Sequence, residues 1–216
     1  MIFRLKLIVL AFLAAAAVAP RAEAHPHVWV TFHTQLVYDK AGQLTGIRHE
    51  WAFDDMFSVF ATQGIDSKEK GKFTREELAP LAEVNVTSLK EYDYFTFVKA
   101  DGKTVALTDP AKGTYWLTFE DSILTLHFTL PLKHPVKAHN LSVDVYDPSI
   151  FVDFEFAKKD PVALDGAPPG CTLTTGLPRQ LTTAEAQALS QIPADVQNTT
   201  MVFGDQMANK ILVTCP

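Results

Sequence analysis

His27-Val28-Trp29-Val30-Thr31-Phe32-His33-Thr34-Gln35-Leu36-Val37-Tyr38, then the turn Asp39-Lys40-Ala41-Gly42, then Leu44-Thr45-Gly46-Ile47-Arg48-His49-Glu50-Trp51-Ala52-Phe53, decides the fold class. Both arms are rich in β-branched and aromatic residues, and a Gly-containing turn joins them. That pattern predicts a β-hairpin. Alternate residues of an extended chain share a face. His25, His27, Trp29, Thr31 and His33 therefore form one row, and Val28, Val30 and Phe32 the other. On the second arm His49, Trp51, Phe53 and Asp55 share a face.

Further strands are expected at 93–100, 104–108, 114–119, 123–130, 140–146 and 151–156. Turn-like Ala100-Asp101-Gly102-Lys103 and Glu120-Asp121-Ser122 separate some of them. Many short strands at this spacing point to a mostly antiparallel, sandwich-like sheet structure. The stretch 161–170 is rich in Pro and Gly and reads as a linker. A short helix near 183–191 and a last strand at 210–214 follow.

Residues 54–92 break the β pattern. Asp54-Asp55-Met56-Phe57 opens a helix with capping residues, and Thr74-Arg75-Glu76-Glu77 is a capping box before a second. Between them, 66–77 has the outline of a calcium-binding EF-hand loop. Asp66 stands at its first position, Gly71 at the sixth, Phe73 at the eighth and Glu77 at the twelfth. Lys68 and Lys70 occupy the third and fifth, where oxygen ligands belong. Their ammonium groups repel a divalent cation and can pair with Asp66 and Glu77 instead. The expectation is an EF-hand-like helix–loop–helix that takes no calcium; the simpler alternative is a capped helical hairpin with one Gly.

The fold class is thus α+β: a β domain over 25–160 with a helical insertion at 54–92, and a linker with a C-terminal segment, 161–216, packed on the same domain. Two cysteines are present. In an exported chain such a pair, Cys171 and Cys215, reads as a disulfide tying the last strand to the start of the tail. The alternative is a two-thiolate metal site, and neither Cys has a Cys or His within four residues.

Export is read from residues 1–24. Arg4 and Lys6 precede an apolar run at 7–18, Pro20 ends it, and Ala22-Glu23-Ala24 is a small-x-small cleavage pattern. The run is shorter than the ~20 residues of a membrane span, so a cleaved signal is expected rather than an anchor. The net charge of the whole chain is −6, and loss of Arg4, Lys6, Arg21 and Glu23 makes the rest more acidic. An acidic surface argues against nucleic acid as a partner.

Cleavage after Ala24 leaves a chain starting His25-Pro26-His27 in the periplasm. His25 then offers an α-amine and an imidazole, and His27 a second imidazole. Pro26 has no amide proton to lose, so the copper motif that uses the second residue's amide nitrogen is excluded. If the hairpin aligns the two histidine-bearing faces, His49 joins the pair, with Asp54, Asp147 and Asp153 as candidate carboxylates. Such nitrogen-rich sets suit nickel, cobalt, zinc or copper. His33 and His127 lie within strand patterns, and His134 and His139 flank a loop Pro and are expected to be solvated.

The stretches His25-Pro26-His27-Val28-Trp29-Val30, His49-Glu50-Trp51-Ala52-Phe53-Asp54-Asp55-Met56-Phe57, Glu91-Tyr92-Asp93-Tyr94-Phe95, Tyr146-Asp147-Pro148-Ser149-Ile150-Phe151-Val152-Asp153-Phe154 and Val213-Thr214-Cys215-Pro216 carry a resemblance. The chain resembles the exported bacterial family called domain of unknown function 1007. The resemblance implies a periplasmic component of an ABC-type transport system, associated with nickel/cobalt permeases. Many members carry an acidic EF-hand loop, from which Lys68 and Lys70 depart. The expected function is a non-enzymatic, transition-metal-binding accessory or substrate-binding component of a metal transport system, partnered by an inner-membrane permease. The alternatives are a structural partner of a permease that binds no metal, or a copper-dependent redox enzyme using the N-terminal His. No nucleophile motif or His-Glu-x-x-His spacing supports the enzyme.

Overall fold

In a computed structural model that describes residues 27–192 and 203–216, the expected hairpin forms. β1 (Val28–Tyr38) and β2 (Leu44–Phe53) pair antiparallel, from Val30 opposite Phe53 to Leu36 opposite Ile47. The turn closes because Asp39 Oδ1 accepts from the amides of Ala41 and Gln43, both at 2.9 Å, while Gly42 takes φ +73°. The signal expected at 1–24, its expected cleavage point and His25 lie outside the described residues.

Alternation sets the inner face. Val28, Val30, Phe32, Thr34 and Leu36 of β1 are buried, as are Ile47, His49, Trp51 and Phe53 of β2. Burying a large apolar side chain contributes about 1.5–3 kcal/mol, so the register is strongly specified. A one-residue slip would turn every one of these side chains to solvent.

The remaining strands are β3 (Thr96–Ala100), β4 (Lys103–Val105), β5 (Trp116–Glu120), β6 (Ile123–Val136), β7 (Asn140–Val145), β8 (Val152–Phe156), β9 (Val162–Asp165), β10 (Thr172–Gly176) and β11 (Asn209–Thr214). One sheet runs β5-β6-β2-β1-β8, with β9 also on β1; the other runs β10-β11-β7-β3-β4. The second sheet is antiparallel throughout, while β8 and β9 lie parallel to β1. Both sheets contribute to one core, where Phe32, Trp51, Phe128 and Leu126 meet Val143, Val145 and Ile211.

Three expectations are corrected. The strand placed at 93–100 begins only at Thr96, because Lys90–Phe95 forms a 3-10 turn. The strand placed at 123–130 continues to Val136 through Pro131 and Pro135; β5 pairs only with residues 123–127, so prolines beyond that point break no ladder with it. The stretch 161–170 holds β9. β1 is 11 residues long and β8 only 5, so half of that edge would be bare without it.

The helices are α1 (Asp55–Ala61), α2 (Arg75–Leu89) and α3 (Thr183–Leu189). Asp54 caps α1, and the Thr74–Glu77 capping box opens α2 as expected. Leu78, Ala82 and Val86 of α2 recur every four residues and point into the core. Ser58 ties α1 to β6, donating to the Asp54 carbonyl at 2.6 Å and accepting from the Leu124 amide at 2.9 Å.

The Cys171–Cys215 disulfide is present, across a separation of 44 residues. β11 sits between β10 and β7 rather than at an edge, so the bridge secures an internal strand of the second sheet. Closing a loop of this length stabilises by about 4 kcal/mol in the chain-entropy model. Replacing both cysteines by Ser should lower the urea midpoint and steepen the slope, because the unfolded chain is no longer cross-linked, with a loss of about 2–5 kcal/mol.

Candidate functional site

The carboxylates singled out from sequence gather where β1 starts. Asp54 ends β2 and clamps that point. Its Oδ2 accepts from the Trp29 amide at 3.0 Å, its Oδ1 from the Phe57 amide at 2.8 Å, and its own amide donates to the Trp29 carbonyl at 2.9 Å. Asp147 is buried in the β7–β8 loop. Its Oδ1 accepts from the amide and hydroxyl of Ser149, and its Oδ2 from the amides of Phe151 and Val152. The Phe151 carbonyl in turn accepts from the amides of His27, at 2.9 Å, and Val28, at 3.3 Å. The His27 ring packs 5.0 Å from the Phe151 ring. Asp153 lies opposite Trp29 in the β1–β8 ladder, on the outer face. Desolvation at the sheet, with repulsion from Glu155, holds its carboxyl above the usual range.

His49 does not join them. It stands opposite Thr34, on the inner face, while Trp29 and His33 face outward. Thr34 is seven residues along the chain from His27, about 23 Å at 3.3 Å per residue. The expected convergence of His27 and His49 is therefore not made. Its premise, that the two histidine-bearing faces align, fails because the ladder pairs His49 with an even-numbered residue of β1.

His49 instead links the two sheets. The Thr96 hydroxyl donates to the Tyr94 carbonyl at 2.8 Å, so it must accept from His49 Nε2, at 3.2 Å. That leaves Nδ1 to accept from the Thr34 hydroxyl, at 3.0 Å. Burial lowers the pKa of His49 to about 3. The other histidines lie apart: His33 Nε2 is 3.1 Å from the Lys159 carbonyl, His127 stacks on Trp116, and His134 and His139 are exposed. Among the described residues, no group of three His, Cys, Asp or Glu is clustered to hold a metal ion.

Behind the start of β1, on the inner side, is a cavity of about 220 Å³. β1, β2 and β8 form its floor, and the end of α2 with Tyr92 and Phe95 forms its roof. The roof was not legible in the sequence. Asp93, Tyr94 and Phe95 take φ of 51°, 53° and 48°, three left-handed residues in succession and none of them Gly. Such backbone costs about 1–2 kcal/mol per residue. It is held by Thr96, by the Tyr94 hydroxyl donating to Asp109 Oδ1 at 3.0 Å, and by the Lys90–Asp109 ion pair at 2.5 Å.

The loop 66–77 is closed differently from expectation. Glu77 Oε1 accepts from the Lys68 amide at 3.0 Å and Oε2 from the Thr74 amide at 2.7 Å. The Thr74 bond, then the Lys68 bond, lowers the Glu77 pKa. The ion pair of the loop is Lys72 with Glu69, at 2.6 Å; among the described residues Lys68 and Lys70 form none with Asp66 or Glu77. Backbone amides reach Glu77 more cheaply than long, exposed ammonium groups that must be ordered. Gly71 supplies φ +77°.

A family model described as "Protein of unknown function (DUF1007)" matches residues 10–215. An uncharacterized protein of Haemophilus influenzae is 24% identical over 194 residues, covering 89% of this chain and 91% of the relative. An uncharacterized 15.5 kDa protein of Spirochaeta aurantia, named for the trpE 3' region, is 34% identical over 100 residues, covering 46% of this chain and 70% of the relative.

Two predictions follow from this geometry. Between pH 6.5 and about 3 the unfolded chain protonates residue 49 and the folded chain does not. Stability should be whole above pH 6.5 and fall by about 1.4 kcal/mol per pH unit below it. His49→Gln, which can still bond both threonines, should remove that slope; urea unfolding at pH 7 and pH 5 reads the difference. Asp93→Val should cost about 1–2 kcal/mol although Asp93 is exposed, because a β-branched residue resists the left-handed region, while Asp93→Gly should cost nothing. Thermal unfolding of the two variants compares them.

Proposed function

The chain belongs to the DUF1007 family, described as of unknown function, and on that premise we propose that it is an exported, periplasmic accessory protein carrying one transition-metal ion for an inner-membrane metal permease. The ion is cargo, bound and released without bond-making, so no turnover is expected. The observation that supports this reading is that His27 is anchored at the start of β1, two residues before Trp29, which Asp54 clamps and Asp153 faces across the ladder. The Phe151 carbonyl fixes the His27 backbone, and the Asp54 carboxylate is fixed two residues on.

The donor set narrows from the one read in sequence. His49 is spent between two threonines, and Asp147 already accepts four hydrogen bonds. Asp54 accepts one side-chain-directed amide on each oxygen, which leaves lone pairs on both. The donors are then the amine and imidazole of His25, the imidazole of His27, and Asp54 or Asp153. Nitrogen donors with one carboxylate suit nickel, cobalt, zinc or copper. The described residues do not complete this set by themselves, so the reading stands or falls on His25 becoming the first residue.

A second reading has its own support. Met56, Val59 and Phe60 leave an apolar stripe of α1 exposed, Met56 at 76% and Phe60 at 69%. A stripe of this kind suits a structural partner of a permease that binds no metal. The loop 66–77 belongs to the same proposal as a calcium-silent, EF-hand-like relic, with Glu77 turned to backbone amides.

The test is metal titration of protein recovered from the periplasm, with intact mass to establish a start at His25. One equivalent of Zn(II), Ni(II), Co(II) or Cu(II) should bind. One Gly added before His25, or His27→Ala, should weaken binding at least tenfold, and His49→Gln should leave it unchanged. Unchanged affinity in both of the first two variants would leave the structural-partner reading standing. In the same samples calcium should give no saturable heat, and Lys68→Asp with Lys70→Asp should create it.

A further inference from the structure

The cavity behind β1 lies on the opposite face of the sheet from Asp153 and Trp29, and the metal reading makes no use of it. Its walls are almost wholly apolar: Val30, Phe53, Phe57, Phe95, Phe151 and Phe154 make up much of the lining. The polar groups on the lining are few. Asp147 is saturated, and Asn85 donates to the Leu81 carbonyl at 2.9 Å. Trp51 forms part of the wall, is 1% exposed, and carries an indole N–H without a hydrogen-bond partner among the described residues. A buried donor left unsatisfied costs about 1–3 kcal/mol, and native interiors rarely leave one.

The size sets the class of occupant. An apolar cavity of about 150 Å³ holds a benzene ring, and sites for drug-sized ligands run to about 300–1,000 Å³. At about 220 Å³ this cavity fits one ring with a short substituent. The strained roof is a third, separate observation. Three left-handed residues bring Phe95 over the cavity, with the Tyr92 ring stacked on it at 5.4 Å and 18°. Strain of this kind persists where the surroundings over-determine it, and such places cluster at ligand sites.

We propose that this cavity binds a small monocyclic molecule bearing one hydrogen-bond acceptor, of the aryl or cyclic ketone, aldehyde or ester class. The ring lies among the phenylalanines and the acceptor meets the Trp51 N–H. Ser88, exposed near the end of α2, stands at the rim with the partly buried Asn85 one turn before it, and a second polar substituent is tolerated there.

Two near-isosteric probes test the assignment: acetophenone, which has the carbonyl, and α-methylstyrene, which has a methylene in its place. Binding is followed by the indole N–H resonances in ¹⁵N-labelled protein. The wild-type chain should bind acetophenone about five- to tenfold more tightly, the worth of one neutral hydrogen bond, and the Trp51 N–H resonance should move downfield with acetophenone only. Trp51→Phe should bring the ratio of affinities to about one. Ser88→Trp, on an exposed helix position, should close the rim and abolish binding of both without touching the core. If Trp51→Phe does not fold, the probe preference, the resonance shift and the Ser88→Trp block decide. Absence of saturable binding by wild type overturns the site, as does equal binding of the probes with the Trp51 resonance unmoved. Metal-free protein is used, so failure here leaves the metal reading intact.

Discussion

The imidazole of His49 carries a hydrogen-bond chain from one sheet to the other. Thr34 on β1 donates to it, and it donates to Thr96 on β3, which donates to the Tyr94 carbonyl. The chain is buried, and Trp51 and Phe128 pack on the ring at 5.5 and 5.2 Å. A buried polar network stabilises a fold when its members are satisfied and is costly when they are not. The chain forms only if β1 and β2 pair in the observed register and the second sheet is seated above them. It also fixes the carbonyl of a left-handed residue, and so the roof of the cavity. Register, sheet seating and strain thus depend on one neutral histidine.

The parts legible from sequence are the local ones. Asp39 and Gly42 close the hairpin, Asp54 and Thr74 start their helices, and Cys171 and Cys215 meet. Each rests on spacing within a few residues or on a pair with no rival. His49 was misplaced by its chemistry. Trp51 and Phe53 share its face, and two large apolar residues mark that face as core; this signal outweighs the attraction of one more imidazole for a metal. Asp54, Asp147 and Asp153 do come to the start of β1, yet Asp147 serves to build a loop. The left-handed run at Asp93, Tyr94 and Phe95 left no trace, since none is Gly and the strain is held from outside by Asp109 and Thr96. β9 was hidden by the prolines around it and is explained only by the bare edge it covers.

The start of β1 thus serves two faces. Asp153 faces outward, and with His27 and Asp54 at the same strand start it belongs to the donors of the proposed metal site. Inward lies the apolar cavity. The same few contacts hold both: the Asp54 clamp on Trp29, and the Asp147 loop that presents the Phe151 carbonyl to His27. Rigid support of this kind is what a binding constellation needs.

The most direct test of the metal reading is location rather than affinity. One equivalent of Co(II) added to ¹⁵N-labelled protein that begins at His25 broadens or shifts amides near the ion. The account predicts that the effect centres on Trp29, Phe151 and Val152, and is negligible at Thr34 and His49, about 20 Å along the strand. An effect centred on His49, on the loop 66–77, or nowhere on the protein would contradict it.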